Sequence, residues 1–290
     1  MRLIAERSHD AVMYNGDGLR LIVDDSRHAL TQFPDKYFRA CITSPPYWSL
    51  RDYGLNGQIG AEHSIDAYIA DLVSIFREVR RTLCDDGTLW LNIGDSYTSG
   101  GRTWRAPDKK NPGRAMTYRP PTPDGLKPKD LIGVPWKLAF ALQQDGWYLR
   151  SDIIWYKPNC QPESVKDRPT RAHEYLFLLS KSEEYYYDHA AIQEASTDGR
   201  TRRNRRSVWS INTKGFQGAH FAVFPPSLVE LCLKASSVAG DVILDPFFGT
   251  GTVGVVCVEH HRECVGIELN PAYADMTVQR LSAIQRRIII

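Results

Sequence analysis

Apolar positions along the chain follow two different periods. Short, nearly unbroken apolar runs stop abruptly at turn residues: Phe38 to Thr43 before Pro45-Pro46, Gly87 to Ile93 before Gly94-Asp95, Asp152 to Tyr156 before Lys157-Pro158, and Asp241 to Leu244 before Asp245-Pro246. A shorter run, Cys264 to Ile267, stops at Glu268. Runs of this kind read as strands buried on both faces. Between the first two, Ile65, Tyr68, Ile69, Leu72, Ile75, Phe76, Val79 and Leu83 recur three and four apart, the spacing of one helix face. Leu131 to Gln144 and Pro226 to Ser237 are further helix candidates. Strand and helix in alternation predict an α/β fold, a doubly wound and mostly parallel sheet covered on both faces.

Two stretches break that rhythm. Ser99 to Asp130 is rich in proline and glycine, with eight Lys or Arg against three Asp. Gln161 to Gly218 contains Gly199 to Trp209, which carries five arginines and no acid. Both read as loop-rich insertions beside the sheet, with no sheet element of their own. Tyr185-Tyr186-Tyr187 and Trp147-Tyr148 are expected as strand aromatics of the core.

The run from Leu244 to Thr252, Leu-Asp-Pro-Phe-Phe-Gly-Thr-Gly-Thr, leaves a strand and opens an apolar helix that extends to about His260. Glycines at such a turn let backbone approach a ligand, and a helix start offers free N–H groups. It is not a phosphate loop, because Gly-Lys-Ser/Thr is missing and Asp245 would repel a pyrophosphate. Glu268, ending the next strand, suits the two hydroxyls of a ribose. An adenosine bearing a positive group fits better than one bearing phosphates, and S-adenosylmethionine is such a ligand. Only about 40 residues follow the loop, too few for the remaining strands of a doubly wound sheet. Those strands must come from upstream, which predicts a circularly permuted order.

Composition narrows the setting. The 290 residues are 42% hydrophobic and 24% charged, as in globular chains. The run Pro246 to Val258 is interrupted by three glycines and is too short to span a bilayer. The six cysteines form no Cys-x-x-Cys pair, and the first residues lack the apolar stretch of a signal peptide. A reduced, cytoplasmic protein without a membrane segment is expected. Cys257, His260, His261 and Cys264 have zinc-like spacing, yet they run from an apolar helix into a strand, so no metal site is assigned. The net charge of +2 hides a polarised chain: residues 199–214 hold six Lys or Arg and no acid. Arg200, Arg202, Arg203, Arg205 and Arg206 are therefore candidate phosphate contacts, with the Arg102 to Lys129 stretch beside them.

Thr43-Ser44-Pro45-Pro46-Tyr47-Trp48 is the sharpest signal. Two prolines stiffen the turn after a strand, so the Ser44 hydroxyl and the carbonyls of Ser44 and Pro45 can be held as acceptors at the sheet edge. With Ser-Pro-Pro-Tyr first, a variable stretch next and Asp-Pro-Phe-Phe-Gly-Thr-Gly last, the chain resembles the permuted beta class of DNA amino-methyltransferases. Asn15-Gly16-Asp17, Trp155 to Asn159 and Phe221 to Pro225 add to the likeness, which covers nearly the whole chain. It implies a Rossmann-like methyltransferase sheet with a small loop-rich recognition region. By residue, it implies a catalytic half in 1–98, a basic insertion in 99–130, sheet continuation in 131–160, target recognition in 161–219 and a cofactor-binding half in 220–290.

The resemblance places Asp245, Phe247, Gly249, Thr250 and Gly251 around the methionine part of S-adenosylmethionine, Glu268 on its ribose, Asp17 on the adenine amine, and Phe224 with Pro225 on its far side. Ser44, Pro45, Pro46 and Tyr47 would form the catalytic turn that holds the target base, with Trp48 helping Tyr47 to stack on it. Lys157 and Asn159 are candidates for the same pocket. Asp95 is either a cleft residue or a turn cap, and His220 either a surface residue or a neighbour of the cofactor. The implied substrate is an exocyclic amine of a flipped base in double-stranded DNA, with N4 of cytosine placed ahead of N6 of adenine because Ser opens the motif. RNA, or a glutamine of a protein, stands as a further alternative, and a DNA-binding relic without activity as another. None of the cysteines follows a proline, which argues against attack at a pyrimidine C5. A homodimer is expected, and no restriction partner is assigned.

Overall fold

The computed structural model describes residues 4–8, 11–16, 18–50, 54–98, 104, 120–213 and 224–288. Its centre is a ten-stranded sheet. The N-terminus contributes β1 (Ile4–Ser8), β2 (Ala11–Gly16) and β3 (Leu19–Val23), then a one-turn helix α1 (Ser26–Ala29). β4 (Phe38–Thr43), α2 (Ile65–Thr82), β5 (Leu83–Ile93), α3 (Val134–Gln144), β6 (Tyr148–Tyr156) and β7 (His173–Ser180) follow. β8 (Glu194–Ala195) and β9 (Arg202–Arg203) form a small separate ribbon, and β10 (Val208–Ser210) returns to the main sheet. The chain closes with α4 (Pro226–Ser236), β11 (Val242–Asp245), α5 (Thr252–Glu259), β12 (Glu263–Glu268) and α6 (Pro271–Ile288).

The sheet runs β1-β2-β3-β12-β11-β4-β5-β7-β6-β10. From β3 to β5 every pairing is parallel, whereas β7 is antiparallel to both of its neighbours. The late strands β11 and β12 thus slot between the early strands β3 and β4, which is the permuted order read from the sequence. Side chains alternate across the strands. Cys41, Leu89, Leu91, Leu244 and Val265 pack under α2 and α3, while Ala40, Ile42, Ile243 and Cys264 pack under α4, α5 and α6. Both faces are covered, which explains why these strands read as unbroken apolar runs.

Local signals match the elements. Ser64 caps α2 by accepting from the Ala67 N–H at 3.2 Å. Arg80 and Arg81 sit in its last turn, where positive charge favours the helix dipole. Pro135 and Pro226 occupy first-turn positions of α3 and α4.

The reading of Gln161 to Gly218 as lacking sheet elements is corrected. His173–Ser180 is β7, inserted between β5 and β6, and Val208–Ser210 pairs with Ile154 to Tyr156 at the sheet's edge. The β7 sequence, His-Glu-Tyr-Leu-Phe-Leu-Leu-Ser, is largely apolar; the arginine run downstream gives the whole segment the look of a loop. The N-terminal strands and α6 also have no counterpart in the sequence reading. Tyr185, Tyr186 and Tyr187 lie in no strand, although Tyr187 stacks on the buried Trp90. Trp147 is buried, but its neighbour Tyr148 is exposed. No helix among the described residues is long and apolar enough to cross a membrane.

The turn after β11 is set by one ring. Phe248 lies buried, and ideal Cβ atoms at Gly266, Gly254 and Gly251 would stand 2.4, 2.6 and 3.3 Å from its ring atoms. Three glycines therefore make room for it. Gly266→Ala should cost about 1–3 kcal/mol by overpacking. Urea unfolding measures this, and a variant as stable as the parent would mean that the ring can move aside.

Candidate active site

The two motif-bearing turns meet where the direction of chain progression through the sheet reverses. β4 and β11 are parallel neighbours, and their helices lead to opposite sides, so a crevice opens beyond their C-terminal ends. One hydrogen bond ties the ends together: the Thr43 hydroxyl donates to Asp245 Oδ1 at 2.6 Å, fully buried. The same oxygen accepts from the Phe247 N–H at 3.1 Å. Burial raises the Asp245 pKa to about 7, against the downward pull of those two donors.

A second carboxyl closes the loop from β12. Glu268 Oε2 accepts from the Gly249 N–H at 2.7 Å, and Oε1 accepts from the Asn270 N–H at 2.8 Å. Burial lifts its pKa to about 7, with a smaller push from Asp245. Ser26, at the start of α1, donates to the Pro246 carbonyl and anchors the other side of the turn.

The cleft holds about 1220 Å³ of space, counting its open mouth. Apolar walls come from Phe224, Phe247, Ile59 and Ile75, and polar groups from Ser44, Asp245, Thr250 and Glu268. The Thr250 hydroxyl is buried there without a hydrogen-bond partner. An orphan hydroxyl, two carboxyls held near neutrality and apolar walls together call for a ligand with a flat apolar body, hydroxyl donors and positive charge.

The Ser44-Pro45-Pro46-Tyr47 turn faces this space. The Tyr68 hydroxyl donates to the Pro46 carbonyl at 2.9 Å and holds the turn down. The Tyr47 ring crosses Gly94 so closely that a Cβ there would lie 2.7 Å from the ring. Its hydroxyl donates to Glu174 Oε2 at 2.9 Å, and Glu174 pairs with Lys157. Burial, then the Glu174 carboxylate, push the Tyr47 pKa well above the usual phenol range.

Residues 38–279 match the profile of a family described as DNA methylase. The chain belongs to this family of N6- and N4-directed DNA methyltransferases. It is 62% identical over 277 residues to the Type II methyltransferase M.SmaI of Serratia marcescens, covering 95% of each chain. Among solved structures it is similar to the PvuII DNA methyltransferase (cytosine-N4-specific), with a TM-score of 0.67 at 19% identity over 93% of this chain and 92% of that one. A DNA modification methylase candidate of Thermus thermophilus, solved with S-adenosyl-L-methionine, gives a TM-score of 0.59 at 24% identity over 91% and 93%.

The DNA methyltransferase gathers most of the residues singled out in its sequence at this cleft. Ser44, Pro45, Pro46, Tyr47, Phe224, Asp245, Phe247, Gly249, Thr250 and Glu268 line it. Gly251 and Pro225 do not. Gly251 begins α5 at φ +75° with Thr277 against it, and Pro225 begins α4 with its carbonyl taken by the Leu228 N–H. Asp17, His220 and Phe221 to Val223 fall outside the described residues.

Other candidates move. Trp48 is buried and donates to the Glu62 carbonyl at 3.1 Å, so it offers no stacking face to the cleft. Asp95 is a cap: its Oδ1 accepts from the Gly133 and Val134 N–H groups at 3.0 Å each. Lys157 reaches the site through Glu174, whereas Asn159 bonds Thr213 on an exposed loop.

The arginine run is partly engaged within the protein. Arg203 pairs with Glu194, Arg202 donates to the Gln193 carbonyl and Arg205 to the Ile192 carbonyl. Arg206 makes a looser contact with Glu194, at 3.8 Å. Glu174 and Ser26 escape the sequence reading; position 174 is 127 residues from Tyr47, and no motif spacing links them.

A carboxyl whose pKa is higher folded than unfolded holds its proton more tightly in the folded state. The folded state therefore loses stability as pH rises from about 4 to about 7, as far as Asp245 and Glu268 contribute. Asp245→Asn should flatten the dependence of melting temperature on pH across that window, relative to the parent. An unchanged slope would show that Asp245 does not titrate there.

Proposed function

We propose that this DNA methyltransferase moves the methyl group of S-adenosylmethionine to an exocyclic amine of a base flipped out of double-stranded DNA, with N4 of cytosine preferred to N6 of adenine. One observation carries the reading: the Thr43–Asp245 bond sets the Ser-Pro-Pro-Tyr turn and the glycine loop against one cleft. S-adenosylmethionine supplies an electrophilic methyl on a positive sulfonium. Asp245 and Glu268 favour such a cation, because a positive ligand stabilises their ionised forms and offsets the cost of burial. The Thr250 hydroxyl can accept from or donate to its polar groups, and the remaining lone pairs of Glu268 can accept from its hydroxyls.

An exocyclic amine is a poor nucleophile because its lone pair is delocalised into the ring. Acceptors at Ser44 Oγ and the Pro45 carbonyl take up its N–H groups and favour the pyramidal form whose lone pair is free. Both belong to the turn that lines the cleft. Catalysis is then positioning plus fixed dipoles. The Tyr47 ring, backed against Gly94, presents a rigid face for stacking the flipped base. The preference for cytosine rests on Ser at the first motif position and finds support in the name of the similar PvuII enzyme.

Methyl transfer to duplex DNA with labelled S-adenosylmethionine, followed by mass spectrometry of the nucleosides, tests the reading. N4-methylcytosine is expected, and N6-methyladenine as sole product would reverse the base preference. Ser44→Ala should lower kcat by about 10²-fold, the scale of losing one fixed partner of the reacting group. Retention of full activity would remove Ser44 from the reaction.

For DNA contact, the guanidiniums least engaged within the protein matter most. Replacing Arg200 and Arg206 by Gln should reduce the slope of log affinity against log salt by about two. An unchanged slope would mean that both side chains remain in solvent in the complex.

A further inference from the structure

We infer that Glu174, fixed by Lys157, is a positioning residue that acts through the Tyr47 hydroxyl to make Ser44 Oγ a hydrogen-bond acceptor facing the target amine. The inference deepens the proposed function and rests on it. Nothing in the Ser-Pro-Pro-Tyr motif itself dictates the direction of the Ser44 hydroxyl. A free serine both donates and accepts, and a donor aimed at an amine would oppose the chemistry.

The direction is set from below the turn. Glu174 lies on β7, opposite Trp155 of β6 in the antiparallel register. Its Oε1 is held by the Lys157 ammonium, which lies 4.2 Å from the centre of the Trp155 ring. Both side chains of that pair are only 16% exposed, so the pair is shielded from competing water. The other oxygen, Oε2, faces the Tyr47 hydroxyl at 2.9 Å. An ionised carboxylate accepts only, so Tyr47 must donate its single proton.

Asn92 reinforces this. Its amide N–H₂ donates to the Tyr175 carbonyl at 3.0 Å, which turns Oδ1 toward Tyr47 at 3.5 Å as a second acceptor. The Tyr47 oxygen therefore has no proton left for Ser44. The contact between Ser44 Oγ and the Tyr47 oxygen, 3.5 Å, can form in one sense only, with Ser44 donating. With its proton engaged there, Ser44 Oγ presents lone pairs to the cleft. Polarity thus passes from Lys157 through Glu174 and Tyr47 to Ser44.

Glu174→Gln and Tyr47→Phe are the informative variants, each close in shape to the parent side chain. In Glu174→Gln the Lys157 ammonium claims the amide oxygen and the amide N–H₂ faces Tyr47, so the Tyr47 proton is shared between Asn92 Oδ1 and Ser44 Oγ, each 3.5 Å away, and Ser44 loses its fixed role as donor to Tyr47. The expected result in methyl transfer to duplex DNA is a fall in kcat of about tenfold, with KM for DNA and for S-adenosylmethionine unchanged. Adding Lys157→Met should restore much of that kcat, since the amide can then turn its oxygen toward Tyr47. In a Tyr47→Phe background, Glu174→Gln should have no further effect.

A Glu174→Gln enzyme with parental kcat would overturn the inference. So would a loss of kcat that Lys157→Met deepens, or one that persists in full in the Tyr47→Phe background, since either points to packing alone. Parental protein that leaves duplex DNA unmethylated would instead count against the proposed function, a result separable from all of these.

Discussion

The 2.6 Å hydrogen bond from Thr43 to Asp245 is the constraint on which the rest of the site depends. It joins the last residues of two adjacent parallel strands, one from the N-terminal half of the chain and one from the C-terminal half. Each strand leads straight into a turn that lines the cleft. The separation of those turns is therefore fixed by strand spacing and one buried bond, not by loop conformation. A site on the ends of central strands inherits the rigidity of the core.

Electrostatics in the cleft follow from that placement. Holding Asp245 and Glu268 at the sheet's edge beside Phe247 and Phe248 denies them water, and backbone N–H groups and one hydroxyl compensate only in part. The site is thus under-compensated for negative charge when empty. A positive charge placed in the cleft would supply what the protein leaves out. The strands that set the cleft's shape thus also set its preference for positive charge.

Much of this is legible in the sequence where a strand runs directly into a distinctive turn. Ser44 to Tyr47 and Asp245 to Thr250 stand out because proline and glycine impose geometry at fixed offsets from an apolar run. Glu268 stands out because it ends the next strand. Glu174 does not, since it is one polar residue near the start of β7 and its meaning comes from a partner brought near only by folding. The β7 strand itself is masked by a charge run about twenty residues away. That run misleads in its turn: a count of arginines ignores that Arg202, Arg203 and Arg205 find acceptors within the protein.

The Phe248 ring among its three glycines has a thermodynamic corollary. A loop wedged by a buried aromatic cannot collapse into the empty cleft, so the Asp245 and Glu268 carboxyls and the Thr250 hydroxyl that line the cleft stay in place for a ligand. Binding then loses little free energy to ordering the backbone, and more of the contact energy appears as affinity. The cleft behaves as a mould cast during folding, and the glycines that look like a source of looseness are what make it stiff.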